Sequence, residues 1–503
     1  MVDYNDVSCP LDPALPCSTA GYPAYVIEAI DEKDVQAGVN FAREHDTRLV
    51  IKGTGHDYPG RSSGPGSLSI WTHNIRGIKI NKDDQYAVEY GGIASVKIAA
   101  GMRWGEVYTE AAKHNLTVVG GAEPNVGVGG WTLNGGHSPV SSTFGMGADQ
   151  VLSLDIVTAD GQILTINETS YPDLFWALRG GGGSTFAIMV SMTVKAYPQL
   201  SMIMHSYALV TSANSDIFWS LASYFHTQVP RISEAGGAGY HYALPGALFD
   251  PSLTDSYLLA GFWMFSNKTE EHVNKTMLPF YAEVAGAEWA VDPVYPQANN
   301  TFVPDVMTYW ANNPSEEGGS SGRLGSWLVD RPGLSNFTKL KEQLKKAAPT
   351  PPWILISHVV AGPGVRDAVE DIPGGSNAVL PAWRKAYTHI VTARAWPTGN
   401  TALKTYLTTE LRESAMPALK ELAPDSGAYI NECDPSNPTW KHDFFGENYE
   451  RLLQVKHKYD PHGVFWCKPC VGWDEWEIKD GPADEDPLNW GIGQGSGRLC
   501  RKE

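Results

Sequence analysis

The sequence predicts a mixed α+β protein of two domains. Three observations carry that expectation. The chain has 503 residues, more than one compact core accommodates. It opens with a strand, helix, strand unit that delivers a glycine-spaced loop over residues 53–64. Past about residue 199 the pattern changes to longer alternating helices and strands, with no internal repeat.

The elements follow in order. Residues 25–27 form a short apolar strand. Asp31-Glu32-Lys33-Asp34 supplies the acids of a helix start, and residues 35–45 carry apolar side chains near helical spacing. Residues 48–51 are the next strand. It runs into Lys52-Gly53-Thr54-Gly55-His56-Asp57-Tyr58-Pro59-Gly60-Arg61-Ser62-Ser63-Gly64. Glycines there leave bare amides around one imidazole, His56. Bare amides suit a pyrophosphate, and a plain surface turn is the alternative. Residues 67–71, 86–90 and 95–99 read as strands and 103–114 as a helix.

A second glycine-rich region follows residues 117–119. It reads Gly120-Gly121-Ala122-Glu123-Pro124-Asn125-Val126-Gly127-Val128-Gly129-Gly130, then Asn134-Gly135-Gly136-His137-Ser138, then Phe144-Gly145-Met146-Gly147-Ala148-Asp149. Apolar runs 151–158 and 162–166 flank Asp160-Gly161, a hairpin signal. Pro172 begins a helix that ends at the four glycines 180–183, and 186–195 is a strand. In the second region, 215–229, 339–346 and 402–422 have helical spacing, with Pro417 interrupting the last. Residues 207–210, 258–265 and 353–360 read as strands.

Composition narrows the function classes. A formal net charge of −18 argues against nucleic acid and anionic membrane partners. No apolar run of about 18 residues is present to span a membrane. The N-terminus lacks a signal-peptide apolar core. Six Asn-x-Thr sequons, at Asn115, Asn167, Asn267, Asn274, Asn299 and Asn336, and six cysteines lead us to expect a secreted protein whose signal has been removed. Cys467-Lys468-Pro469-Cys470 is read as structural disulfide chemistry rather than a redox dithiol. A zinc site using Cys467, Cys470 and His462 is the remaining alternative, and no metal is expected.

The two glycine-rich loops, together with Ala428-Tyr429-Ile430-Asn431-Glu432-Cys433-Asp434 and Phe444-Phe445-Gly446-Glu447-Asn448-Tyr449, resemble the vanillyl-alcohol oxidase / p-cresol methylhydroxylase superfamily. The likeness is to its fungal berberine-bridge-enzyme-like branch. It implies a PCMH-type FAD-binding domain over 1–198 and an α+β substrate domain over 199–425, whose antiparallel sheet covers the flavin. It also implies a berberine-bridge-like segment over 426–470 that returns to the first domain. Residues 471–503 are left as an acidic tail held by Cys500.

The resemblance also implies roles. His56 would be bonded to the flavin 8α-methyl. Gly53, Thr54, Gly55, Asp57, Ser62 and Ser63 would wrap the pyrophosphate and ribityl region. Gly127, Gly130, Gly135 and Gly136 would let the backbone pass the cofactor. Bicovalent relatives carry a cysteine where this chain has Glu123, so one attachment is expected and no cysteinyl link. Val126 falls where oxygen access is controlled, or is an ordinary packed residue. Glu432 stands where relatives often have Tyr; it is read as the base, or as a turn cap or arginine partner. Asn431 and Asn448 are read as flavin or loop positioners. His137 would hydrogen-bond a phosphate or bind substrate. The Trp of Pro381-Ala382-Trp383-Arg384 would approach the pocket, or be a core Trp beside a surface Arg.

The expected function is an FAD-dependent oxidase acting on an alcohol-type carbon of a carbohydrate, aromatic alcohol or secondary metabolite, with O2 as acceptor. The alternatives are a flavin dehydrogenase or oxidative cyclase, or an inactive flavin-binding relative.

Overall fold

Asp31 starts the first helix, Glu32–Glu44, by accepting from the amides of Lys33 and Asp34, and Val35, Val39 and Ala42 form its buried face. The computed structural model describes residues 18–19, 21–213, 216–289, 294–311, 322–348, 353–367, 371–397, 399–479 and 497–502. The helix accompanies a parallel sheet in the order Tyr25–Glu28, Leu68–Trp71, Leu49–Lys52. The glycine-spaced loop therefore leaves the carboxyl end of a parallel strand, where open α/β sheets place ligands.

A second, antiparallel sheet has the order Ile78–Asn81, Ala94–Ala99, Ala187–Pro198, Val151–Thr158, Ile163–Ile166. The Asp160-Gly161 turn joins its last two strands as expected, with Gly161 at φ +81°. Residues 86–90 are not a strand. Asp84 accepts from the amides of Tyr86 and Ala87 and caps the helix Gln85–Glu89, so a local cap outweighs the strand preference of Tyr and Val.

The third sheet has seven antiparallel strands. Their order is Tyr295–Val303, Met202–Ser212, Ser256–Ser266, Gly237–Pro245, Ile354–Val359, Ala386–Ala395, Gly322–Asp330. Helices Ile217–Glu234 and Phe337–Ala347 pack against each other beside it. The helix expected over 402–422 is interrupted. Thr401–Glu410 passes through a π turn, Leu411–Ala415, into Met416–Leu422, with Pro417 in the first turn of that last piece.

The helix Tyr449–Tyr459 returns to the glycine turn that follows residue 179. Buried Lys456 donates to the Thr185 carbonyl at 2.8 Å and to Asp460 at 2.5 Å. The Arg451 guanidinium sits 3.8 Å from the Trp176 ring centroid. Cys467 and Cys470 form a disulfide, which removes both thiolates from the zinc alternative. Cys433 and Cys500 are thiols. Cys500 therefore does not hold the tail; its strand Arg498–Arg501 pairs with Trp476–Lys479. Cys9, Cys17 and residues 480–496 lie outside the described residues.

Candidate active site

The loop after Leu49–Lys52 and the region 126–134 face each other across an open cleft of about 850 Å³. Gly53, Thr54, Gly55, His56, Asp57, Ser62, Val126, Gly127, Gly130 and Asn431 line it, as do residues 183, 184 and 187–189. Much of the wall is bare backbone. Gly127 donates its amide to Thr54 Oγ1 at 3.1 Å, and a Cβ on Gly127 would meet the same oxygen at 3.1 Å. The two loops therefore approach at a distance only glycine allows without a shift. A Cβ on Gly130 would enter open space. Solvent reaches His56 at the cleft. Desolvation by the surrounding walls lowers its pKa, with Glu123 acting in the opposite sense.

Arg61 ties three distant segments together at this cleft. It is 5% exposed. Its guanidinium reaches Asp57 Oδ1 at 2.6 Å, Asn134 Oδ1 at 3.3 Å and Asn431 Oδ1 at 2.7 Å. Asn134 in turn donates to the Gly130 carbonyl at 2.7 Å. Two residues expected at the cofactor are turned to other partners. Ser63 donates to the Gly21 carbonyl at 3.3 Å, and Asn448 donates to the Val379 carbonyl at 3.2 Å.

Beside the cleft four side chains converge. Gly135 and Gly136 adopt φ +107° and +66°, and a Cβ on Gly136 would lie 2.6 Å from the Trp131 ring. That turn delivers His137, whose Nε2 stands 3.1 Å from Glu432 Oε1. Glu432 follows Asn431 in the short helical turn Ile430–Glu432. His358 Nδ1 and His389 Nδ1 stand 3.5 and 3.6 Å from Glu432 Oε2 and 3.4 Å from each other. His358 and His389 are direct cross-strand partners on Ile354–Val359 and Ala386–Ala395. Rings of Tyr429, Trp383 and Tyr240 wall the cluster, with centroids 5.3, 5.8 and 6.3 Å from that of His137.

The electrostatics favour a carboxylate at Glu432. Burial raises the pKa of Glu432, but His137 and His358 outweigh it and hold the group below its usual range. Burial pushes His358 and His389 well below the usual imidazole value. Trp383 is buried beside the cluster, and Arg384 is half-buried. It makes a paired contact with buried Asp149, Nη1 to Oδ2 and Nη2 to Oδ1 both at 2.7 Å. Asn377 donates to Asp149 Oδ1 at 2.6 Å.

Sequence reasoning identified His137 and Glu432 but assigned no role to Arg61, His358 or His389. One signal was available for His358. It is a polar residue on an alternating apolar strand, Ile354-Leu355-Ile356-Ser357-His358-Val359.

Residues 23–167 match the FAD binding domain family, and 428–472 match the berberine and berberine-like family. The chain is 35% identical over 484 residues to the FAD-linked oxidoreductase ZEB1 of Gibberella zeae, covering 95% of this chain and 81% of that protein. It belongs to the fungal berberine-bridge-enzyme-like branch of the vanillyl-alcohol oxidase superfamily. The VAO-type flavoprotein oxidase VAO615 of Thermothelomyces thermophilus is 31% identical over 520 residues, covering 99% of this chain and 82% of that one. The crystal structure of the VAO-type flavoprotein MtVAO713 from Myceliophthora thermophila C1 matches with TM-score 0.88 and 30% identity. That match covers all of this chain (100%) and 87% of the other.

This berberine-bridge-like protein is therefore an FAD-linked oxidoreductase. Its cleft fits that cofactor: glycine backbone is exposed along both loops, and the hydroxyls of Thr54, Ser62 and Ser184 stand among the apolar Ile51, Val126, Ile188 and Met189. Among the described residues no helix is long and apolar enough to cross a membrane.

Proposed function

We propose that this family member is a secreted oxidase that carries FAD covalently on His56. It takes hydride from an alcohol-type carbon of a carbohydrate, aromatic alcohol or secondary metabolite. When bound, the flavin accepts the hydride and passes its electrons to O2, giving hydrogen peroxide. A lowered imidazole pKa supports His56 as the attachment point, because the neutral ring keeps the lone pair that alkylation needs. Glu123 at the position of the second link supports a single attachment, since a carboxylate forms no thioether.

The observation that carries the reading is the Glu432 and His137 pair, set next to the cleft-lining Asn431. His137 holds one carboxylate oxygen. The other, Oε2, accepts no hydrogen bond among the described residues, which supports it as the acceptor of the hydroxyl proton. Trp383, Tyr240 and Tyr429 would exclude water from that transfer. We assign residues 1–198 with 426–470 to the FAD-binding side and 199–425 to the substrate side. The sequons and the Cys467–Cys470 disulfide support secretion.

The test is acid precipitation of wild type and His56→Ala. Yellow, fluorescent pellet from wild type alone supports the covalent link. Anaerobic bleaching of the flavin by a panel of alcohols, then readmission of air with peroxide detection, reads the reaction. Bleaching without reoxidation by O2 points to a dehydrogenase or oxidative cyclase. Failure of every donor points to an inactive flavin-binding relative.

A further inference from the structure

We propose that His137, His358, His389 and Glu432 bind one divalent transition-metal ion of the Zn2+ or Co2+ type. This departs from the sequence-level expectation of no metal.

The first argument is size. One donor atom from each of the four side chains lies within 4.8 Å of all the others. Adjacent donors are 3.1 Å apart for His137 Nε2 to Glu432 Oε1, and 3.4 Å for His358 Nδ1 to His389 Nδ1. They are 3.5 and 3.6 Å apart for the two Nδ1 atoms to Glu432 Oε2. A tetrahedral ion with bonds of about 2.0–2.1 Å separates its ligands by roughly 3.3 Å. The two Nδ1 atoms and Glu432 Oε2 are spaced as in such a shell, and His137 stands within the 4.8 Å reach of the group.

The second argument is donor type. Three imidazoles and one carboxylate form a borderline nitrogen and oxygen set, which suits Zn2+ and its neighbours rather than Mg2+ or Ca2+.

The third argument is what the donors lack. Glu432 Oε2 is buried and accepts no hydrogen bond among the described residues, although two ring nitrogens face it. Those two nitrogens also face each other, where at most one proton fits between them. A cation at the centre satisfies all of these atoms together. Buried polar atoms left unmatched in this way are otherwise costly.

The fourth argument is rigidity. His358 and His389 are fixed by sheet register, His137 by a glycine turn that tolerates no Cβ, and Glu432 by a turn anchored through Asn431 to Arg61. His137 Nδ1 and His389 Nε2 have no hydrogen-bond partner among the described residues. The packing of Tyr240, Trp383 and Tyr429 therefore orients the rings, in place of the outer hydrogen bonds common around metal-bound imidazoles.

Metal binding does not depend on the redox reaction proposed above. The four side-chain ligands would close the ion to substrate, so Glu432 serves as proton acceptor of the reaction proposed above only in ion-free protein.

The experiment uses flavin-loaded protein purified without immobilised-metal chromatography. Elemental analysis is expected to find close to one transition-metal ion per chain. After chelation, added Co2+ is expected to give the intense d–d bands of a tetrahedral site, to the red of the flavin absorption. His358→Ala and His389→Ala are expected to lose the stoichiometric ion and the Co2+ bands. Glu432→Gln is expected to weaken binding at least about 10–100-fold. Flavin content in each variant reports folding. The inference is overturned if wild type holds no stoichiometric ion and added Co2+ produces no bands, or if the variants bind as wild type does. Anaerobic bleaching is read separately. A loaded ion with no reducing donor sinks the redox reading alone, and bleaching in protein that neither holds nor takes up an ion sinks the metal alone.

Discussion

Arg61 Nη2 lies 2.7 Å from Asn431 Oδ1, although 370 residues of chain separate them. The same guanidinium holds Asp57 and Asn134, so one buried cation joins the His56 loop, the second glycine region and the C-terminal segment. Arg61→Ala removes the bonds to Asp57, Asn134 and Asn431 together, leaves half-buried Asp57 without this partner, and is expected to cost about 3 kcal/mol. A lowered melting temperature and reduced flavin content check this. Asn431→Ala, which leaves the Asp57 pair intact, is expected to cost about 1–2 kcal/mol. Equal losses from both variants would mean that the bridge to Asn431, not the Asp57 pair, carries the energy.

Glu432→Gln keeps the shape of the cluster and removes the carboxylate. Flavin reduction by an active donor is expected to slow about 10²–10⁴-fold, with flavin content unchanged. Stopped-flow bleaching measures this. A rate within about twofold of wild type would leave Glu432 as a turn residue.

Asp149 is buried, and its carboxyl is raised by burial but held below its usual range by Arg384. Arg384→Ala strands that charge and is expected to cost about 3–5 kcal/mol. Arg384→Lys keeps the charge but not the two-pronged geometry, and is expected to fall between the two. Chemical denaturation of the three proteins orders them. Lysine matching alanine would mean that geometry alone matters.

His226 is buried against Ser357 Oγ at 2.8 Å, and burial lowers its pKa from 6.5 to about 4. The unfolded chain then takes up a proton at higher pH than the folded chain. Stability is complete above pH 6.5 and falls as pH drops toward 4, by up to about 3 kcal/mol from this group. His226→Gln is expected to be less stable at pH 7 but to show a shallower decline, by up to about 1.4 kcal/mol per pH unit. Denaturant midpoints across pH 4–7 give both slopes, and identical slopes would rule the residue out.

Local chemistry was legible in the sequence. The His56 loop, the Asp160-Gly161 hairpin and the Pro172 helix are specified by residues within a few positions of each other, and all are found. The misreading at 86–90 has the same locality, since Asp84 decides it and strand preference was weighed instead. What could not be read depends on register. His358 and His389 meet only because Ile354–Val359 and Ala386–Ala395 pair in one alignment, and a slip of one residue would turn either ring to the opposite face. Arg61 was in view, but its partners at 134 and 431 are fixed by the tertiary fold. Ser63 was assigned to the cofactor by its neighbours, while Gly21 claims its hydroxyl.

Asn431 gives the cleft a timetable as well as a wall. During synthesis the loops at 53–64 and 120–136 leave the ribosome long before residue 431 exists. Until then Arg61 has only part of its network and the cofactor site lacks one side. A nascent chain halted short of this segment presents two glycine loops without the wall that Asn431 supplies.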